Sequence, residues 1–90
     1  MTYPLHLIAF GRRSWPEWVE TREYPTKEAR SAAAATLPVQ LLRRIKSANR
    51  VQALTCPPPS GCQVRRKGTG DWPERLGYTV GDDGRARRRK

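Results

Sequence analysis

Apolar positions alternate over Tyr3–Phe10, with Tyr3, Leu5, Leu7 and Ala9 on one side and His6, Ile8 and Phe10 on the other. A period of two with both sides largely apolar predicts a strand covered on both faces, ended by Gly11. The segment Trp18–Tyr24 has the same period, setting Trp18, Glu20, Arg22 and Tyr24 against Val19, Thr21 and Glu23. Charges on both sides place it nearer a sheet edge. Between the two, Ser14 and Glu17 have capping-box spacing, which predicts one short helical turn.

The pattern then changes to a helical one. After Pro25, Thr26 is a candidate N-cap for "KEARSAAAATL", where Ala29, Ala32, Ala33 and Thr36 share a face. An alanine face lets a helix lie close on a sheet. A second helix is expected over "PVQLLRRIKSANR", with Pro38 in its first turn. Leu41, Leu42, Ile45 and Ala48 gather on one arc of it, and Arg43, Lys46 and Arg50 roughly opposite.

"VQALTC" and "CQVRRK" flank the loop "CPPPSGC" and read as a hairpin, with Leu54 across from Val64. Three prolines stiffen that loop, so it reads as a finger pushed outward. Asp71 and Glu74 repeat the capping spacing, "GYTV" is a short strand and "GDDG" a turn. "RARRRK" is either a last edge strand or a solvated tail. The tripeptide Trp-Pro-Glu occurs twice, but its surroundings differ and no internal repeat follows. The expected fold is a small single α+β domain over residues 1–84. It has an antiparallel sheet of about four strands in the order β-β-α-α-β-β, and one or two helices on one face. Residues 85–90 form a basic C-terminal tail, with disorder as one of its readings.

Ninety residues allow one modest core. Charge changes the picture more than length does. Residues 1–37 hold five bases and four acids, residues 38–67 hold seven bases and no acid, and residues 68–90 hold six bases and four acids. The middle block therefore has no internal ion pairs, and its charge is expected to face water or an anionic partner. Of the 18 bases 14 are Arg, which grips phosphate and carboxylate with two bonds at once. No targeting or membrane-spanning stretch stands out in "MTYPLHLIAF", and a cytoplasmic location is expected.

Catalytic chemistry finds little support. His6, the single histidine, lies within an apolar strand and reads as a packed core residue. No Ser or Cys has a motif that supplies a base. The spacing of Cys56 and Cys62 is wrong for zinc ribbons or thioredoxin-like motifs, so no metal and no cofactor is expected. Two small, partly buried thiols at the hairpin tip are the favoured reading, and a cross-strand disulfide is the alternative. Trp18 reads as core. Trp15 and Trp72 fall at turns and are candidates for stacking on a base or anchoring a partner.

The strongest functional signal is a basic stripe of Arg43, Arg44, Lys46 and Arg50 on the second helix and Arg65, Arg66 and Lys67 on the hairpin. Arg85, Arg87 and Arg88 extend it into the tail. Such a surface suits phosphate contacts that give affinity without much base reading. The expected function is a small, non-enzymatic nucleic-acid-binding protein. The alternative is a protein-binding regulator or inhibitor, of the kind a virus or mobile element makes, docking its basic face on an acidic protein surface. On this reading Arg65→Glu with Arg66→Glu abolishes binding and leaves the fold intact.

Overall fold

The structure is a computed structural model and describes residues 1–11, 16–46 and 48–88. The chain forms β1 (Tyr3–Phe10), β2 (Glu17–Tyr24), α1 (Lys27–Arg44), β3 (Arg50–Leu54), β4 (Cys62–Val64), α2 (Arg66–Thr69), α3 (Trp72–Arg75), β5 (Tyr78–Val80) and β6 (Arg85–Arg88). The six strands make one mixed sheet in the order β3-β1-β2-β4-β6-β5. All neighbours are antiparallel except β2 and β4, which run parallel. The class is α+β, as the sequence predicts, with more strands and more varied pairing. The expected turn at Ser14 lies outside the described residues.

Packing explains why β1 is central. Leu5, Leu7 and Ala9 meet Val19, Val51 and the α1 residues Leu37 and Leu41 on one face. On the other face Ile8 joins Trp18, Cys62, Tyr78 and Ala86, with Trp72 and Leu76 packed alongside. The double-sided apolar pattern of β1 thus serves two small cores, each removing apolar surface from water.

A bulge in β2 sets the contents of each face. Leu7 pairs with Glu20 and Ile8 with Trp18, so Val19 is the extra residue. Residues three apart on a regular strand point to opposite faces. The bulge puts Trp18 and Thr21 on the same face, and Trp18 Nε1 donates to Thr21 Oγ1 at 2.7 Å. Thr21 Oγ1 also lies 2.9 Å from His6 Nδ1. Thr21 Oγ1 thus joins the two rings, accepting from the Trp18 Nε1–H and sharing a second hydrogen bond with His6 Nδ1 whose direction follows the His6 tautomer. The simple alternation of Trp18 with Glu20 read from the sequence fails at this point.

The two expected helices are one. Thr26 caps α1 by accepting from the Ala29 N–H at 3.1 Å, and Pro38 lies inside the helix. Proline removes one hydrogen bond there, yet Leu37 and Leu41 on either side are both buried and hold the turn in place. The buried stripe passes through Ala33, Ala34, Leu37 and Leu41; Ala32 and Thr36 are exposed. Ile45 ends the helix, so Lys46 and Arg50 lie beyond it.

The expected hairpin does not form. Leu54 pairs with His6, and Val64 with Trp18. The strand pairings make β3 and β4 run in the same direction, so no tight turn can join them. Residues 55–61 instead carry the chain past β1 and β2, three strand spacings or roughly 14 Å. Extended proline suits that span. Pro58 is buried, and its carbonyl accepts a hydrogen bond from the Tyr78 hydroxyl. The loop is a strap packed on the second core and no outward finger. The cysteines are free, with Cys56 exposed and Cys62 buried beside Ala86.

The C-terminal basic run is ordered into the sheet over Arg85–Arg88. Strand β6 pairs with both β4 and β5, and Ala86 is fully buried. A small apolar residue in the middle of "RARR" gives the strand something to bury, and the sequence reading of a tail passed over it. Among the described residues no helix is long and apolar enough to cross a membrane.

Candidate nucleic-acid interface

The end of α1 and the start of α2 enclose an open cleft of about 260 Å³, lined by Arg44, Arg65 and Lys67 around Val19, Glu20, Leu41, Ile45 and Gly68. Each cation arrives by a different route. Arg44 belongs to the last turn of α1, Arg65 precedes α2 as its cap residue, and Lys67 lies within α2. Arg43 and Lys46 flank Arg44 along the chain and are exposed. Gly68 lets α2 approach β2: a Cβ there would sit 2.2 Å from the Val19 carbonyl oxygen, too close for any other residue. This contact forms one wall of the cleft. The bulge forms its floor, since it turns Val19 and Glu20 to the same side.

The stripe read from the sequence does not survive as a continuous track. Arg50 pairs with Phe10 at the start of β3, and its guanidinium lies 4.5 Å from the Phe10 ring centroid. Because Phe10 belongs to the second core, Arg50 is on the sheet face away from α1. Arg66 is tied down at the surface, with Nη1 and Nη2 donating to Glu74 at 2.7 and 2.5 Å and Nη1 also to the Gly70 carbonyl at 2.8 Å. That fork ties α2 to α3. Arg65 donates to Glu17 at 2.8 Å. The acid-free block is therefore partly neutralised by carboxylates from outside it, which the local sequence reading had treated as impossible only within the block. The double substitution Arg65→Glu with Arg66→Glu would set like charges against Glu17 and Glu74, so it tests the fold as well as binding.

Alternation along β6 divides the last candidates. Ala86 faces the second core, so Arg85 and Arg87 point to the α1 side and Arg88 away from it. Arg87 forks onto Asp83 at 2.6 and 3.2 Å. That bond, with the Arg85 N–H, holds the Asp83 carboxyl down at about 2. Among the described residues Arg43, Arg44, Lys46 and Lys67 make no ion pair.

Of the aromatic candidates, Trp72 gives no open stacking platform. Trp72 is half-buried, with the Arg75 guanidinium 4.0 Å from its ring centroid and the His6 ring edge-on at 5.9 Å. Tyr3 is similarly covered by Lys27 and Arg30. Trp15 lies outside the described residues. Burial lowers His6 to about 4, so it is neutral at ordinary pH, and burial pushes the Cys62 thiol up. Both changes suit packed residues more than reactive ones. Among the described residues no cluster of His, Cys, Asp and Glu could hold a metal.

The pairing of Glu20 with a neighbouring arginine, Arg22, is legible in the sequence, whereas Arg65 as the partner of Glu17, Arg66 as the partner of Glu74, and Val19 and Gly68 as makers of the cleft are not. No local spacing carries that information, because Glu17 meets Arg65 across 48 residues. Comparison of the chain with protein-family models, curated proteins and solved structures finds no match.

Proposed function

We propose that the chain binds nucleic acid without catalysis, gripping the phosphate backbone with the basic rim formed by Arg43, Arg44, Lys46, Arg65 and Lys67. The observation that carries this reading is the convergence of Arg44, Arg65 and Lys67 on one cleft from α1 and α2. Four of the five rim cations have no carboxylate partner among the described residues, so phosphate would relieve their mutual repulsion. The covered rings of Tyr3, Phe10 and Trp72 favour backbone contact over base stacking. Affinity rests on side chains here, because the C-terminal end of α1 presents carbonyls and a negative dipole end.

The second reading is a protein regulator docking on an acidic surface. Val39 and Leu42, exposed at 54% and 38% beside Arg43, support it, since apolar contacts with a basic rim suit a protein partner.

Titration of duplex DNA by fluorescence anisotropy separates them. The nucleic-acid reading expects affinity to fall with a log–log salt slope of about −4, as roughly four or five phosphates release counterions. A nearly flat response, or binding that vanishes well below physiological salt, would remove it in favour of the protein partner.

A further inference from the structure

We infer that the cleft between α1 and α2 seats the terminal phosphate of a nucleic-acid chain end, in preference to an interior backbone phosphate. This rests on the nucleic-acid reading above and narrows it. Three cations line the cleft against the single carboxylate of Glu20, a formal lining charge of +2. Glu20 is itself engaged by Arg22, and Arg65 keeps further N–H groups beyond the one bonded to Glu17. A terminal phosphate monoester carries close to two negative charges at neutral pH, whereas an interior diester carries one. The lining charge matches the monoester.

Shape points the same way. An interior phosphate continues into chain on both sides and needs a groove open at both ends. This cleft is walled where Gly68 meets the Val19 carbonyl with no room for a Cβ. The cleft is open to solvent on its other side, and its volume of about 260 Å³ leaves room for a phosphate group entering from there. The lining is also divided by chemistry. Arg44, Arg65 and Lys67 supply donors, and half-buried Ile45 supplies apolar surface beside them, while Val19 and Leu41 are taken up by the first core.

The test uses one duplex sequence in three forms: with a 5′-phosphate, with a 3′-phosphate, and with hydroxyls at every end. Anisotropy at physiological salt is read for the wild-type chain and for Arg44→Gln and Lys67→Gln. One phosphorylated form is expected to bind about tenfold more tightly than the hydroxyl form, the effect of one or two charge-assisted hydrogen bonds. Which form gains identifies the end. Both variants, checked for folding by circular dichroism, are expected to bind all three forms alike. Equal binding of the three forms by wild type would overturn the inference and leave nucleic-acid binding standing. A gain that persists in both folded variants would also overturn it, since net charge alone would then be the cause. Absence of binding to any form would remove the broader reading as well.

Discussion

Trp18→Ala is expected to lower the melting temperature by roughly 15–30 °C. The indole is fully buried, and it touches the His6 and Tyr78 rings edge-on at centroid distances of 5.5 and 5.9 Å. Truncating a buried aromatic costs about 3–5 kcal/mol, and each kcal/mol is worth about 4–8 °C in a domain of this size. The total stability of such a chain is only about 5–13 kcal/mol, so the variant is expected to sit near the edge of folding. The loss has a second part. Thr21 Oγ1 would lose the hydrogen bond that it accepts from the indole Nε1–H. Trp18→Phe separates the two parts, keeping most of the packing and costing about 1–3 kcal/mol for the missing donor. Thermal melts by circular dichroism read both variants. A Trp18→Ala melt within a few degrees of wild type would mean that the second core is not built around this ring.

The second large effect is one of pH. His6 is held at about 4 in the folded chain by burial, against 6.5 when exposed. Between those values the unfolded chain takes up a proton that the folded chain refuses. Stability is therefore full above pH 6.5 and is lost as pH falls toward 4, by roughly 3 kcal/mol over the window. Asp83 is also depressed, but its window lies between 3.8 and about 2, below that of His6. Denaturant melts at pH 7 and pH 4.5 are expected to show the loss in wild type and a much smaller one in His6→Gln. Equal pH dependence in the two proteins would mean that His6 is accessible enough to charge without unfolding.

Local patterns in the chain carried much of this fold. The two-sided apolar alternation of Tyr3–Phe10 announced a central strand, and Thr26 announced the start of α1. Trp18 and His6 read correctly as packed residues. What failed were statements about which segments meet. "VQALTC" and "CQVRRK" look like the arms of a hairpin because a short loop joins them. They end up three strand spacings apart because β1 and β2 insert between them, and no local property of either arm records that. Pro38 looked like a helix start because proline usually is one. The buried pair Leu37 and Leu41 outweighed it.

The basic groups show the same division. Composition revealed an excess of positive charge and its concentration in the middle of the chain. It could not show that Arg66 is locked to Glu74, that Arg50 covers Phe10, or that Arg87 is tied to Asp83. The cations left for a partner are a subset of the stripe, chosen by tertiary contacts with carboxylates distant in sequence. The bulge at Val19 is the other hidden element. One unpaired residue brings Thr21 under Trp18 on one face and Glu20 beside Val19 in the cleft on the other.

The most direct test of the proposed function compares the wild-type chain with one carrying Arg43→Gln, Arg44→Gln, Lys46→Gln and Lys67→Gln. All four side chains are exposed, so the variant is expected to keep the wild-type circular dichroism spectrum and melt. Duplex binding is followed by anisotropy from low to physiological salt. The wild-type slope is expected near −4 and that of the variant near −1, with affinity at physiological salt down at least about a hundredfold. Unchanged slope and affinity in a folded variant would contradict the assignment of this rim as the binding surface.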